Sequence, residues 1–307
     1  MSQKRDLLGI EHLTAKEITQ YLNLAERFAS VLERPIPIVP SLRGKTILTL
    51  FFEPSTRTQI SFSIAAKRLS ADVLNFSKSA SSVSKGETLL DTARNIEAMK
   101  VDGVVVRHWA PGAAKFLAEN LAAFIINAGD GGHEHPTQAL LDLLTMRQHF
   151  KNFKRLKVLI VGDIEHSRVA RSDIFGLTTL GAHVAVCAPP TLIPLQIEKL
   201  GVEVHYDLDA VIDHYDVVMA LRIQLERQES GLFPSIREYR EQYGLTKERA
   251  ARMKPKSIIM HPGPTNRGVE IDPDVADSPM SVILEQVKNG VALRMAVLFL
   301  HSGGRIV

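Results

Sequence analysis

Short apolar runs alternate with helical patterns in two successive sets, and this rhythm restricts the fold more than any other feature of the chain. The run KTILTLFFE (45–53) is rich in β-favouring residues and stops at Pro54, so it reads as a buried strand. In the next stretch, STRTQISFSIAAKRLS, residues Phe62, Ala65, Ala66 and Leu69 fall at i, i+3, i+4 and i+7. That is one face of a helix opening near Ser55 or Thr56. DVLNF (72–76), DGVVVRH (102–108) and AFIINAG (123–129) are further short strands with helical patterns between them, and a first helix is expected near 14–33. The second half restarts the alternation with strands at LKVLIVGD (156–163), AHVAVCAP (182–189), DVVMALR (216–222) and KSIIMHPGP (256–264). SRVARSDIFGLTTLG between the first two reads as a helix ending at glycine.

Two such sets predict an α/β fold of two domains, each with a mainly parallel sheet flanked by helices. The helical stretch HPTQALLDLLTMRQHF (135–150) lies between the sets, so the boundary belongs inside it, giving domains of 1–142 and 143–290. The last segment, SVILEQVKNGVALRMAVLFLHS, is expected to be helical with Leu284, Val287, Val291 and Leu298 on one face and Gly290 as a point of interruption. A length of 307 residues accommodates two such domains and buries a sizeable core without staples.

Composition excludes several classes. The net charge of +3 is spread among acids rather than gathered into a basic face, which argues against nucleic acid as a partner. The N-terminal MSQKRDLLGIEHLT has no apolar core of signal-peptide length and no run approaches a membrane span, so neither export nor membrane insertion is expected. The single cysteine, Cys187, lies in an apolar run and reads as a buried structural thiol, in keeping with a reducing cytoplasm.

Five groups of residues carry candidate chemistry. Ser55, Thr56, Arg57 and Thr58 follow a strand at a helix start, where unpaired N–H groups and the helix dipole suit a phosphate. Ser and Thr also cap helices when nothing binds, although four anion-compatible side chains in a row exceed what a cap needs. His135 precedes Pro136, Thr137 and Gln138 after the turn-forming NAGDGG. Pro136 suits the first helical turn, leaving His135 facing outward at the helix mouth, able to donate to a carbonyl oxygen that gains charge. His133 lacks such support and reads as surface. Arg107 ends a strand, where an open sheet lines its ligand crevice, and a surface ion pair is the competing reading. The turn at Pro262, Gly263 and Pro264 either exposes carbonyls to a substrate N–H₂ or is an ordinary tight turn. Arg168 and Arg222, with Gln224 beside the latter, follow strands of the second half and together suit the carboxylates of a dicarboxylic acid. The histidines lack the spacing of metal ligands. VGDIEHSRVARS also lacks the G-x-G-x-x-G of a dinucleotide turn.

Taken in order, STRTQISF, SKGET, VRH, AGDGGHEHPTQ, GDIEHSRVARS, LRIQLER and HPGP resemble the aspartate carbamoyltransferase family over essentially the whole chain. STRT with HPTQ marks carbamoyltransferases as a class. KGET, RxQxER and HPGP favour aspartate as acceptor, whereas ornithine-type relatives typically carry HCLP. The resemblance implies transfer of the carbamoyl group of carbamoyl phosphate to L-aspartate, an early step of pyrimidine biosynthesis, in a cytoplasmic homotrimer that uses no cofactor. It makes 1–142 the carbamoyl-phosphate-binding domain, with the helix 291–307 packed back on it, and 143–290 the aspartate-binding domain, with the active site in the interdomain cleft.

By the same resemblance, Ser55, Thr56, Arg57 and Thr58 hold phosphate. Arg107 bridges phosphate and carbamoyl oxygen, and Thr58 and His135 polarise that oxygen. Gln138 and the carbonyls around Pro262, Gly263 and Pro264 hold the carbamoyl nitrogen. Arg168, Arg222 and Gln224 hold aspartate, with Lys85 and Ser81 lent by a neighbouring subunit and Ser82 the alternative to Ser81. Read without the resemblance, 77–88 is a flexible surface loop. A regulatory chain or a dihydroorotase stays open as a further partner, as do an ornithine-type acceptor and a catalytically silent scaffold of the same fold.

Overall fold

A computed structural model describes residues 6–77, 88–223 and 235–304. The expectations for Ser81, Ser82, Lys85 and Gln224 lie outside the described residues. The chain divides into two compact units, one of Met1–Leu144 with Lys288–Val307 and one of Thr145–Val287. It passes from one to the other inside helix α5 (Pro136–Phe150) and returns inside helix α10 (Ile283–His301).

The first unit is built on strands β1 (Thr46–Phe51), β2 (Asp72–Ser77), β3 (Gly103–His108) and β4 (Phe124–Asp130), in the order β2-β1-β3-β4 with every neighbour parallel. Parallel strands need long crossovers, and helices α2 (Thr56–Arg68), α3 (Leu89–Ala98) and α4 (Ala113–Asn120) supply them. Helices cover such a sheet on both faces, so its inner strands read as continuous apolar runs rather than alternating ones. Leu50, Val104, Val106 and Ile125 join Ala93 and Ile96 of α3 and Leu117 of α4 in one core cluster. Val105, which alternation turns to the opposite face, is equally buried. Helix α1 (Ala15–Leu32) starts in a capping box in which Thr14 and Glu17 satisfy each other's backbone N–H groups. β1 has β2 on one side and β3 on the other, so the winding reverses there and opens a crevice at the carboxyl ends of β1 and β3.

The second unit repeats the plan. Strands β5 (Lys157–Val161), β6 (His183–Cys187), β7 (Glu203–His205), β8 (Val217–Ala220) and β9 (Ile258–Met260) form a parallel sheet in the order β7-β6-β5-β8-β9. Helix α6 (Arg168–Thr179) joins β5 to β6, while α7 (Ile236–Tyr243) and α8 (Lys247–Arg252) lie between β8 and β9, and the short α9 (Pro273–Ala276) follows. Here the winding reverses between β5 and β8. Cys187, at the end of β6, is buried, and burial pushes its thiol up to about 12. It is therefore a thiol and not a nucleophile at neutral pH.

The C-terminal helix departs from its expectation in two ways. Leu284 is 82% and Val287 49% exposed, whereas Leu298 is buried, so these residues do not form one buried face. From Ala292 to Leu298 the helix is buried on all sides, Arg294 included, and a helix enclosed in this manner has no amphipathic period to read. Gly290 does not interrupt the helix. A Cβ there would stand 2.5 Å from an Nη1 of Arg294 and 3.3 Å from Leu141, so the glycine makes room for a buried guanidinium one turn on. An exposed arginine could swing aside, but Arg294 is 4% exposed and lies 5.1 Å over the ring of Phe62. Gly290→Ala is therefore expected to lower the urea midpoint. Overpacking costs about 1–3 kcal/mol, against about 1 kcal/mol gained in helix propensity; a raised midpoint would refute this packing role.

Candidate active site

At the β1/β3 reversal, strand pairing sets Phe51 opposite Arg107, and the Phe52 N–H donates to the Arg107 carbonyl at 2.8 Å. Pro54 ends the strand and α2 begins at Thr56. Ser55 is the N-cap residue, yet its side chain makes no capping bond. Elsewhere Thr14, Thr88, Ser167, Ser235 and Thr246 all accept a backbone N–H at their helix starts. The hydroxyl at the mouth of α2 is thus not spent on capping. Thr56 and Arg57 are exposed and Thr58 is buried beneath them.

Arg107 is held by the protein around it. Its Nη1 donates to the Ala128 carbonyl at 3.1 Å, and its Nε stands 3.4 Å from Glu53 Oε2, both side chains being mostly buried. Of the two earlier readings, the ion pair is present, and it lies at the strand end rather than on open surface. Fixing a cation in this way lowers the reorganisation needed when an anion arrives. Next to it His108 accepts from the Ala110 N–H, and its ring packs against Phe52 and Trp109 at 4.9 and 5.0 Å.

His135 is 4% exposed and does not face outward to solvent. The loop before it is built on two carboxylates. Asp130 accepts from Gly112 N–H and Asn127 Nδ2 at 2.7 Å each, while the buried Glu134 accepts the Ile10 N–H at 2.8 Å. These contacts turn the loop inward and carry His135 with it. Its carbonyl accepts the Gln138 N–H at 2.9 Å, starting α5. His133 is half-buried rather than simply surface, its Nδ1 lying 3.2 Å from Asp130. Gln138 donates its side-chain N–H₂ to both oxygens of Asp142, at 3.1 and 3.2 Å.

In the second unit, Arg168 and Arg222 leave the two strands that flank the reversal. Arg168 is the first residue of α6, buried, behind the capping Ser167. The turn before it is closed by Asp163, which accepts the backbone N–H of His166 at 3.2 Å and lies 2.8 Å from its Nδ1. Gly162 has φ +128°, and a Cβ there would stand 2.9 Å from the Leu221 carbonyl. Its missing side chain lets the loop after β5 lie against the segment that delivers Arg222, tied by the Leu221 N–H to the Val161 carbonyl at 2.8 Å. The turn after β9 is not an ordinary one. The buried His261 accepts the Gly263 N–H on Nδ1 at 2.7 Å, which leaves Nε2–H to donate to the buried Glu270 at 3.1 Å. The Gly263–Pro264 bond is cis.

The structure thus gathers Ser55, Thr56, Arg57, Thr58 and Arg107 at one reversal of the first unit and places His135 and Gln138 at the mouth of α5. Arg168 follows β5 and Arg222 follows β8, the two strands that flank the reversal of the second unit. Glu53, Asp130, Glu134, Asp142, Asp163 and Glu270 were missed from sequence. Only Asp142 had a readable signal, its i+4 spacing from Gln138 on one helix. Among the described residues no group of three or more His, Cys, Asp or Glu could hold a metal ion.

The class defined by two doubly wound parallel units is borne out by relatives. Family models described as "Aspartate/ornithine carbamoyltransferase, carbamoyl-P binding domain" and "Aspartate/ornithine carbamoyltransferase, Asp/Orn binding domain" match residues 5–148 and 154–301. The chain belongs to the aspartate/ornithine carbamoyltransferase family. An aspartate carbamoyltransferase catalytic subunit of Halothermothrix orenii is 59% identical, covering 99% of this chain and 97% of its own. Among solved structures, aspartate transcarbamoylase from Trypanosoma cruzi in complex with N-(phosphonacetyl)-L-aspartic acid is similar, with TM-score 0.87 and 30% identity over 96% of this chain and 95% of that one. Ornithine carbamoyltransferase from Pyrococcus furiosus has TM-score 0.86 and the same 30% identity, over 99% and 98%. Fold likeness alone therefore does not separate the two acceptors.

The unspent cap gives a direct comparison. Thr14→Ala is expected to cost about 1 kcal/mol in urea unfolding. Ser55→Ala, which removes no capping bond, should stay within about 0.5 kcal/mol of the unaltered protein. Equal losses would mean that Ser55 is a structural cap.

Proposed function

We propose that this chain transfers the carbamoyl group of carbamoyl phosphate to the amine of L-aspartate, giving N-carbamoyl-L-aspartate and phosphate in de novo pyrimidine biosynthesis. The observation that carries this reading is the uncapped start of α2, with Arg57 and Thr58, joined through strand pairing to a pre-held Arg107. The near relative named for aspartate supports the choice of acceptor. So does HPGP at 261–264, where ornithine-type chains typically have HCLP.

In this reading Ser55, Thr56, Arg57 and Thr58 bind the phosphate by charge-assisted hydrogen bonds. Arg107, Thr58 and His135 donate to the carbamoyl oxygen as it gains negative charge. Gln138 and the carbonyls at Pro262, Gly263 and Pro264 accept from the carbamoyl N–H₂. Arg168, Arg222 and Gln224 take the aspartate carboxylates, with Lys85 and Ser81 supplied by a neighbouring subunit. The neutral amine attacks the carbamoyl carbon, the C–N bond forms, the C–O bond to phosphorus breaks, and the departing phosphate takes the amine proton. Orientation of two bound reactants supplies much of the rate.

A homotrimer in the cytoplasm completes the proposal. Ile60 and Ile64, one turn apart on α2, and Leu74 on the edge strand β2 are exposed, and β2 leads directly into the serine-rich 78–87. Exposed apolar side chains around an unpaired sheet edge suit a contact with another copy. No described helix is long and apolar enough to cross a membrane.

The test is turnover of carbamoyl phosphate in parallel with L-aspartate and L-ornithine, on the unaltered protein and on Arg57→Ala. Turnover is expected with aspartate, with a fall of at least about 100-fold in Arg57→Ala and no loss of folding by circular dichroism. Turnover only with ornithine, or near-normal rates in Arg57→Ala, would overturn the acceptor or the phosphate assignment respectively.

A further inference from the structure

A primary amide offers N–H₂ at one end and oxygen at the other, and it recognises a donor only if something decides which end faces the ligand. For Gln138 that decision is made four residues on. Asp142 is 0% exposed, and both of its carboxylate oxygens accept from Gln138 through Nε2. An ionised carboxylate accepts hydrogen bonds and donates none, so the reversed amide would set oxygen against oxygen. A carboxylate so buried stays ionised only with a cation close by. The cation is Arg294 of α10, itself 4% exposed and electrostatically coupled to Asp142. Burial pushes the Arg294 guanidinium down to about 10, with Asp142 opposing the shift, so it remains charged at neutral pH. Gly290 clears the space it occupies, and its position over Phe62 ties it to α2.

We propose that Asp142 is a positioning residue that locks the Gln138 amide with its Oε1 turned to accept an N–H from the carbamoyl group. Asp142 does not touch the reactants. It turns Gln138 into a selective acceptor for a ligand bearing –NH₂ beside its carbonyl, and against one bearing a methyl group there. This rests on the proposed carbamoyl transfer, because Gln138 must face the carbamoyl nitrogen.

Acetyl phosphate has a methyl group where carbamoyl phosphate has –NH₂ and provides the probe. Dissociation constants of both ligands are measured for the unaltered protein, Asp142→Asn, Asp142→Glu, Gln138→Ala and the double variant Gln138→Ala/Asp142→Asn. Circular dichroism establishes folding of each. Asp142→Asn permits both amide orientations, so it should weaken carbamoyl phosphate about tenfold while acetyl phosphate changes less than about twofold. Asp142→Glu, still acceptor-only, should recover part of the preference. The double variant should match Gln138→Ala within about twofold, because Asp142 acts through Gln138.

Equal weakening of both ligands in Asp142→Asn, or additive losses in the double variant, would overturn the positioning role while leaving carbamoyl transfer intact. If the Asp142 variants do not fold, Gln138→Ala alone still decides: an unchanged preference for carbamoyl over acetyl phosphate overturns the inference. Absence of any turnover by the unaltered protein with either acceptor overturns both.

Discussion

Buried positive charge is fixed in this protein by its own carboxylates and carbonyls. Arg107 is held by Glu53 and the Ala128 carbonyl, and Arg294 is coupled to Asp142. A buried guanidinium without such partners would cost several kcal/mol. Held in place, it is ready for an anion without having to reorganise when one arrives. The same economy governs the polar groups beside it. His261 keeps one tautomer through Gly263 and Glu270, and Gln138 keeps one amide orientation through Asp142.

The sheet topology determines where these groups can stand. A strand flanked on one side by its successor and on the other by a later strand opens a crevice at its carboxyl end. Each unit has one such reversal, at β1/β3 and at β5/β8. The residues expected to hold phosphate follow the first, and the arginines expected to hold carboxylates follow the second. Glycine serves this arrangement at two places for one reason, the absence of a side chain. Gly162 lets the loop before Arg168 lie against Leu221, and Gly290 leaves room for Arg294.

What could be read from sequence followed how locally each feature is encoded. The β1 run and the buried face of α2 at Phe62, Ala65, Ala66 and Leu69 were legible, because a single period decides them. The three-residue edge strand β7 was not, since its half-exposed residues form no apolar run. The buried face of α10 was illegible for the opposite reason, as burial on all sides erases the period. His135 was recognised as a candidate but misplaced outward. Its burial depends on Glu134 reaching back to Ile10, a contact across 124 positions of chain. The ion pair of Glu53 with Arg107 is likewise a pairing of β1 with β3 that no local pattern announces.

A ligand that carries both charges of the proposed reactants gives the sharpest test. N-(phosphonacetyl)-L-aspartate combines a phosphonate with two carboxylates in one molecule. Calorimetric titration of it into the unaltered protein, Arg57→Ala and Arg222→Ala isolates the roles of the two arginines. Both variants are expected to bind it roughly 30-fold or more weakly, as befits loss of one partner of a desolvated charge pair. Inorganic phosphate should be weakened only by Arg57→Ala. If Arg222→Ala binds the bisubstrate ligand as tightly as the unaltered protein does, the second arginine does not hold the acceptor and the assignment fails.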